Sequence, residues 1–278
     1  MSITKKIDVF IPVYNDQQYI GRAIQSCLDQ IDVDVRVLVS DNCSTDGTFE
    51  IVQAFAENDH RVKLYRNQKN IGLTGNMKKA YELVTRDFYM LLCSDDFLLD
   101  RYAFPTALQL FGKYPNLVSV YSNIDFVDSN GKLILTNRFK RGEVFDAEPT
   151  MRHSLISTRN KFGIPLLHKT EYAKRYRYLD KAAYTNDLWH SYKVGQNGQC
   201  GHIDRSYIAN TYSGNNLTLR LMNKALGELR YLAKLEDISL PQAELYLQLF
   251  NHCKTMSFKL IFFKFVLPIK MLINQIVK

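Results

Sequence analysis

Two hydrophobic rhythms alternate over the N-terminal part of the chain, and their spacing is the strongest constraint on its fold. β-rich runs occur at Ile7–Val13 (IDVFIPV), Val33–Asp41, Val62–Arg66 and Phe88–Cys93 (FYMLLC). Helical patterns separate them, near Gln18–Asp29, Thr48–Glu57 and Thr74–Val84. Strands joined by a helix-length crossover pair in parallel, whereas a short turn would give an antiparallel hairpin. Ligands of such sheets gather beyond the carboxyl ends of the strands. Pro12–Asn15, Asp41–Gly47 and Ser94–Asp96 all fall at those ends, so three polar loops are expected to share one rim.

The rest of the chain is less regular. Tyr114–Leu167 has weak periodicity with a turn at Asp128–Lys132 and reads as mixed and irregular, and residues 217–257 read as helices. Phe258–Lys278 is apolar but carries Lys259, Lys264, Lys270 and Lys278 and is broken by Pro268. No charge-free run there approaches the roughly 20 residues of a spanning helix, so an interfacial helix on an anionic membrane surface or a packing element is expected. The 278 residues are 46% apolar, enough for a large core. Lys plus Arg exceed Asp plus Glu by 36 to 28, which favours anionic partners without choosing among them. Five cysteines with no close pair argue against a disulfide framework or thiolate metal site and fit a reducing cytoplasm. The N-terminus runs from two lysines into a short apolar segment without a small-residue cleavage region, and no secretory signal is read there.

The apolar run ending at Cys93 meets two adjacent carboxylates, Asp95 and Asp96. Neighbouring like charges need water, a proton or a cation. A hard divalent cation such as Mg²⁺ or Mn²⁺ would satisfy them and could bridge to a diphosphate, while an exposed turn before a helix is the plainer reading. Asp46 and Thr48 suit a helix start. Asp41, at a strand end, is a candidate for a nucleobase N–H or a ribose hydroxyl. No G-x-G-x-x-G occurs, which disfavours a dinucleotide oxidoreductase, and no Gly-rich loop follows the first strand as a nucleotidyltransferase would require.

Four segments in this order, FIPVYNDQQYIGRAIQSCLDQ, VLVSDNCSTDGT, NIGLTGNMKKA and MLLCSDD, resemble the nucleotide-sugar half of family 2 glycosyltransferases. The resemblance implies a GT-A type α/β fold with a mainly parallel central sheet flanked by helices. It would occupy 1–216, with a nucleotide-sugar half (1–100) and an acceptor half (101–216), before a helical region at 217–278. It implies that Pro12, Val13 and Tyr14 line a nucleoside pocket, that Asp41 contacts the base, and that Asn70, Gly72 and Asn76 belong to a segment closing over the nucleotide. Asp95 and Asp96 match a DXD-type motif, Asp96 as direct ligand of Mg²⁺ or Mn²⁺ and Asp95 as a further ligand or a ribose or sugar contact.

TNDLWHSYKVGQNG (Thr185–Gly198) resembles the acceptor-side region and puts Asp187 in the place of the catalytic base. An Asp early in a helix with core neighbours is the plainer account. NTYSGNNLT (Asn210–Thr218) resembles a later motif but has Ser213 where a histidine is common, leaving Tyr212, Asn215 and Asn216 as substitutes. The implied activity is inverting transfer from a nucleoside diphosphate sugar, UDP favoured over GDP or dTDP, to a glycan or lipid-linked glycan acceptor in bacterial surface polysaccharide assembly. No nucleic-acid partner is implied. The expected location is the cytoplasm or the cytoplasmic face of the inner membrane. A non-catalytic nucleotide or glycan binding protein is the main rival.

Overall fold

The computed structural model describes residues 5–139, 141–157, 160–183, 185–212, 227–229 and 231–236. Strands β1 (Lys6–Val13), β2 (Asp34–Asp41), β3 (Val62–Arg66) and β4 (Phe88–Leu91) alternate with helices α1 (Ile20–Leu28), α2 (Thr48–Asn58), α3 (Gly72–Lys78) and α4 (Ala80–Leu83). These strands pair in parallel in the order β3-β2-β1-β4, as the crossover spacing predicts. β1 is buried on both faces, which is why it reads as a continuous apolar run. Ile7, Val9, Ile11 and Val13 belong to the core that includes residues of α1, α2 and helix α5 (Ala103–Lys113), and Phe10 packs on the other side.

The remaining elements are β5 (Phe97–Leu98), β6 (Leu117–Val127), β7 (Leu133–Asn137), β8 (Val144–Phe145), α6 (Ala147–Ser157), β9 (Pro165–Lys169), α7 (Thr170–Ala173), α8 (Asn186–Gly195) and β10 (Gln199–Thr211). They extend the sheet as β4-β9-β6-β10-β5, with β7 beside β6 and β8 beside β10. β9 is antiparallel to both β4 and β6, and β6 is parallel to β10. β6 and β10 therefore run in the same direction as β1–β4, and the sheet is mainly parallel.

The middle stretch, read as irregular, in fact supplies the central strands β6 and β9. β6 is buried continuously from Leu117 to Ile124, with Ser119, Ser122 and Asn123 enclosed among apolar neighbours. A strand covered on both faces shows no alternation, and its polar residues break up the apolar run that would otherwise reveal it. The helical pattern at Thr74–Val84 is divided into α3 and α4. The boundary expected at 216/217 and the tail 258–278 lie outside the described residues. Among the described residues no helix is long and apolar enough to cross a membrane.

Candidate active site

The three loops expected on one rim are joined there by hydrogen bonds. Asn15 follows β1 in the left-handed region, at φ 51°, a conformation asparagine tolerates better than most residues. Its backbone N–H donates to Ser44 Oγ (3.0 Å), and its Oδ1 accepts the Thr45 N–H (2.8 Å). The Asp16 N–H donates to Thr48 Oγ1 at 2.8 Å, and the Gly47 N–H donates to Gln17 Oε1 at 2.8 Å. Ser94 Oγ donates to Asp16 Oδ2 at 2.5 Å, which ties the first loop to the third. Asp46 accepts the Thr48 N–H at 3.0 Å in the turn before α2, whose N-cap is Gly47, while also accepting the Gln17 N–H at 3.2 Å.

Asp41 closes β2 with no solvent exposure. Its carboxylate accepts the Ser44 N–H (3.1 Å) and lies 3.3 Å from Arg66 Nε, whose guanidinium covers the Phe49 ring at 4.1 Å. Behind it lies an asparagine network. Asn42 Nδ2 donates to Asn70 Oδ1 (2.9 Å) and Asn42 Oδ1 accepts the Ile71 N–H (3.0 Å). Asn76, 3% exposed, donates to the Ser40 carbonyl (2.9 Å) and accepts from Ser40 Oγ and Asn67 Nδ2. Its amide is thus spent on β2 and the Asn67 loop. Gly72 starts α3 at φ 77°, a backbone conformation open to glycine, and its N–H donates to Asn70 Oδ1. Pro12 and Val13 are buried at the end of β1, leaving Tyr14, 47% exposed, as the member of that trio whose side chain reaches solvent.

The turn after β4 carries the acids. Cys93 Sγ and carboxylate oxygens of Asp95 and Asp96 lie within 4.8 Å of one another. Asp96, 2% exposed, accepts the Thr211 N–H at 3.0 Å and Asn210 Nδ2 at 3.1 Å, so the end of β10 grips it. Burial, then Asp95, pushes the Asp96 pKa well above the usual carboxylate range. Burial, then Asp16, pushes Asp95 up to about 6. Asp16 is itself raised, chiefly by burial and against the Ser94 hydrogen bond. The Arg22 guanidinium lowers all three without cancelling the effect of burial, and two hard oxygen donors on one turn fit Mg²⁺ or Mn²⁺. Asp95 and Asp96 are the residues that would hold such an ion.

Asp187 opens α8, where Asn160 Nδ2 donates to its Oδ2 at 2.8 Å. Its carboxylate keeps access to solvent although protein surrounds it, and loss of water raises its pKa against that hydrogen bond. The Cys93 thiol, exposed to solvent yet surrounded by protein, links it to the acidic turn, because loss of water and then Asp96, Asp95, Asp187 and Asp16 all raise its pKa. Asp187 and the acidic pair, far apart in sequence, therefore share one electrostatic neighbourhood. Asp180 is instead highly exposed and paired with Lys78 at 2.6 Å.

Several contributors were not legible in the sequence. Asn160 engages Asp187, and Glu228 accepts from Thr185 N–H (3.0 Å) and Oγ1 (3.2 Å) at the start of α8. Glu236 accepts from Trp189 Nε1 and pairs with Lys193, both at 3.0 Å. None of these residues stands in a recognisable spacing. His168 and His190 are buried with rings 5.3 Å apart, bonded to Ser119 and the Ala173 carbonyl, and burial lowers both pKa values. They are core groups. Tyr212 is exposed, with its N–H donating to the Val127 carbonyl, while Ser213, Asn215 and Asn216 lie outside the described residues.

Comparison with known proteins places this geometry. A chondroitin synthase of Escherichia coli is 37% identical over 129 residues, covering 46% of this chain and 18% of that protein. A GalNAc(5)-diNAcBac-PP-undecaprenol beta-1,3-glucosyltransferase of Campylobacter jejuni is 34% identical over 95 residues, covering 34% of this chain and 31% of that one. These matches span less than a third of either relative. The fold is shared with TarS 1-349 of S. aureus solved with UDP (TM-score 0.61, 19% identity, 92% of this chain and 74% of that one). It is also shared with the mannosyltransferase PcManGT of Pyrobaculum calidifontis solved with GDP-Man and Mn²⁺ (TM-score 0.58, 16% identity, 87% and 67%). Residues 8–180, more than half of the chain, match the family described as Glycosyl transferase family 2, and the chain belongs to that family.

Proposed function

We propose that the chain transfers a sugar from a nucleoside diphosphate, with UDP favoured over GDP or dTDP, to a glycan acceptor, and that it does so with inversion. The observation carrying this reading is the Asp95–Asp96 pair beside Cys93 on the turn after β4 of a mainly parallel sheet, with Asp187 among the charges that act on the Cys93 thiol. Asp41, held by Ser44 and Arg66, meets the base, and Tyr14 offers an exposed ring beside it. The asparagine network fixes the 70–76 segment from behind, so Asn76 acts as a support while Asn70 and Gly72 face the nucleotide side. Bound at Asp95 and Asp96, Mg²⁺ or Mn²⁺ supplies Lewis-acid neutralisation of the leaving diphosphate. Asp187 accepts the proton of the attacking hydroxyl, a task its raised pKa favours. A lipid-linked glycan in bacterial polysaccharide synthesis is the acceptor class supported by the Campylobacter relative's name. The basic apolar segment 258–278, which lies outside the described residues, suits work at the cytoplasmic membrane face.

Single-turnover transfer by an Asp187→Asn protein tests this. General-base catalysis contributes about 10²- to 10⁴-fold, so transfer should fall by that factor while donor affinity by calorimetry is preserved. Near wild-type transfer by the folded variant would remove Asp187 from the mechanism. Donor binding without transfer in the wild-type, across a panel of acceptors, would favour the binding-protein reading.

A further inference from the structure

Arg22 lies on α1, within the first segment that resembles the family but with no site role implied by that resemblance, and its guanidinium sits at the acidic turn. Nη2 donates to the Asp95 carbonyl at 3.2 Å and to Thr211 Oγ1 at 2.8 Å. The guanidinium lies 4.1 Å from the centre of the Phe97 ring and 5.4 Å from that of Tyr19. Nε is buried without a hydrogen-bond partner. From the far side, the turn between β6 and β7 closes in, since a Cβ on Gly131 would stand 3.5 Å from Nη1 and 4.0 Å from the Phe97 ring. Thr211 completes a loop of contacts, because its N–H holds Asp96 while its hydroxyl accepts from Arg22.

We propose that Arg22 is the positioning residue of the metal pair, a clasp that locks the Asp95 backbone to the end of β10 and so fixes both carboxylates for a divalent cation. The inference rests on the donor-site reading above. Arg22 Nη2 spends its hydrogen bonds on a carbonyl and a hydroxyl, its charge acts on Asp96 and Asp95 through space, and the Asp96 carboxylate is held by Thr211 and Asn210. Lysine cannot replace it. One ammonium on a flexible stem does not lie flat on Phe97 while reaching two fixed acceptors from a planar fork.

The test compares Arg22→Lys, Thr211→Val and the double variant. Supporting groups behind metal ligands are worth about 10- to 100-fold in metal affinity, so Arg22→Lys should weaken Mn²⁺ binding, followed by the electron paramagnetic resonance of free Mn²⁺, by that factor. Mn²⁺-dependent UDP affinity should fall in parallel. Uridine binding, measured by calorimetry in EDTA, should stay within about twofold of wild-type, whereas general structural damage would weaken uridine and Mn²⁺ alike. Thr211→Val should weaken Mn²⁺ binding in the same direction, and the double variant should be no worse than Arg22→Lys alone, since both remove one contact. Additive losses, or Mn²⁺ affinity unchanged in Arg22→Lys, would overturn the clasp. If wild-type protein binds UDP equally in Mn²⁺ and EDTA, the donor reading fails. The clasp is then judged on Mn²⁺ binding alone, where an unchanged affinity in Arg22→Lys overturns it and a loss shared with Thr211→Val sustains it.

Discussion

Replacing Asp96 by asparagine separates folding from metal chemistry, because this carboxylate is both crowded and gripped. Carboxylate oxygens of Asp95 and Asp96 lie within 4.8 Å. At an effective dielectric of about 20, two full charges at that separation repel by about 3.5 kcal/mol. Against that relief, the asparagine amide keeps one oxygen for either the Thr211 N–H or Asn210 Nδ2 and turns an NH₂ toward the other. Losing one hydrogen bond to a charged acceptor costs about 1.5–3 kcal/mol. The two effects nearly cancel, so the metal-free variant should unfold in urea within about 2 kcal/mol of wild-type at pH 8. The pH dependence fixes the sign. A carboxylate whose folded pKa is raised stabilises the fold while protonated and loses that contribution as pH climbs through the folded value, about 6 for Asp95. The stability of wild-type relative to Asp96→Asn should therefore fall between pH 5 and pH 8 in EDTA, since the buried histidines, whose lowered pKa values make both proteins gain stability over that range, contribute equally to each. Mn²⁺ should raise the melting temperature of wild-type more at pH 8 than at pH 5, since a larger share of the pair is then ionised, and should hardly move the variant. Equal Mn²⁺ shifts in both proteins, or a variant that is several kcal/mol less stable without metal, would refute the reasoning.

At the opposite rim, Asp8 is fully buried and accepts from Arg36 Nε (2.8 Å) and Nη2 (2.9 Å) and from the backbone N–H groups of Thr85 (2.8 Å) and Arg86 (3.0 Å). Asp8→Ala strands those donors and should cost about 3–5 kcal/mol in urea unfolding while leaving UDP affinity of the folded protein unchanged; a loss under about 1 kcal/mol would show the network to be dispensable. Asp41→Asn should narrow the affinity gap between UDP and other nucleoside diphosphates, measured by calorimetry, while the Mn²⁺ dependence persists. An unchanged gap would remove Asp41 from base recognition.

What the sequence disclosed follows from which contacts are local. β1 to β4 and their crossovers repeat one unit, and each loop of the rim directly follows a strand, so Asp41 and the Asp95–Asp96 pair could be placed before any packing was known. The second half lacks that grammar. β9 is five residues long and antiparallel between two parallel neighbours, so neither its length nor its direction follows from the adjoining helices. β10 shifts register against β6 between Ile203 and Ile208, and such irregularity erases the period on which a strand would be recognised. The groups that make the acids useful are more distant still. Asp96 depends on Asn210 and Thr211 from β10, and Arg22 reaches that same threonine from α1. None of these three carries a signal alone, since a polar strand end and a helical arginine are ordinary. Their joint role exists only because β5, the short strand beyond the acidic turn, pairs antiparallel with β10 through Phe97 and Leu98. That pairing draws the end of β10 across the metal turn. The two acids are thus a property of local sequence, whereas the contacts that hold them in place are a property of the topology.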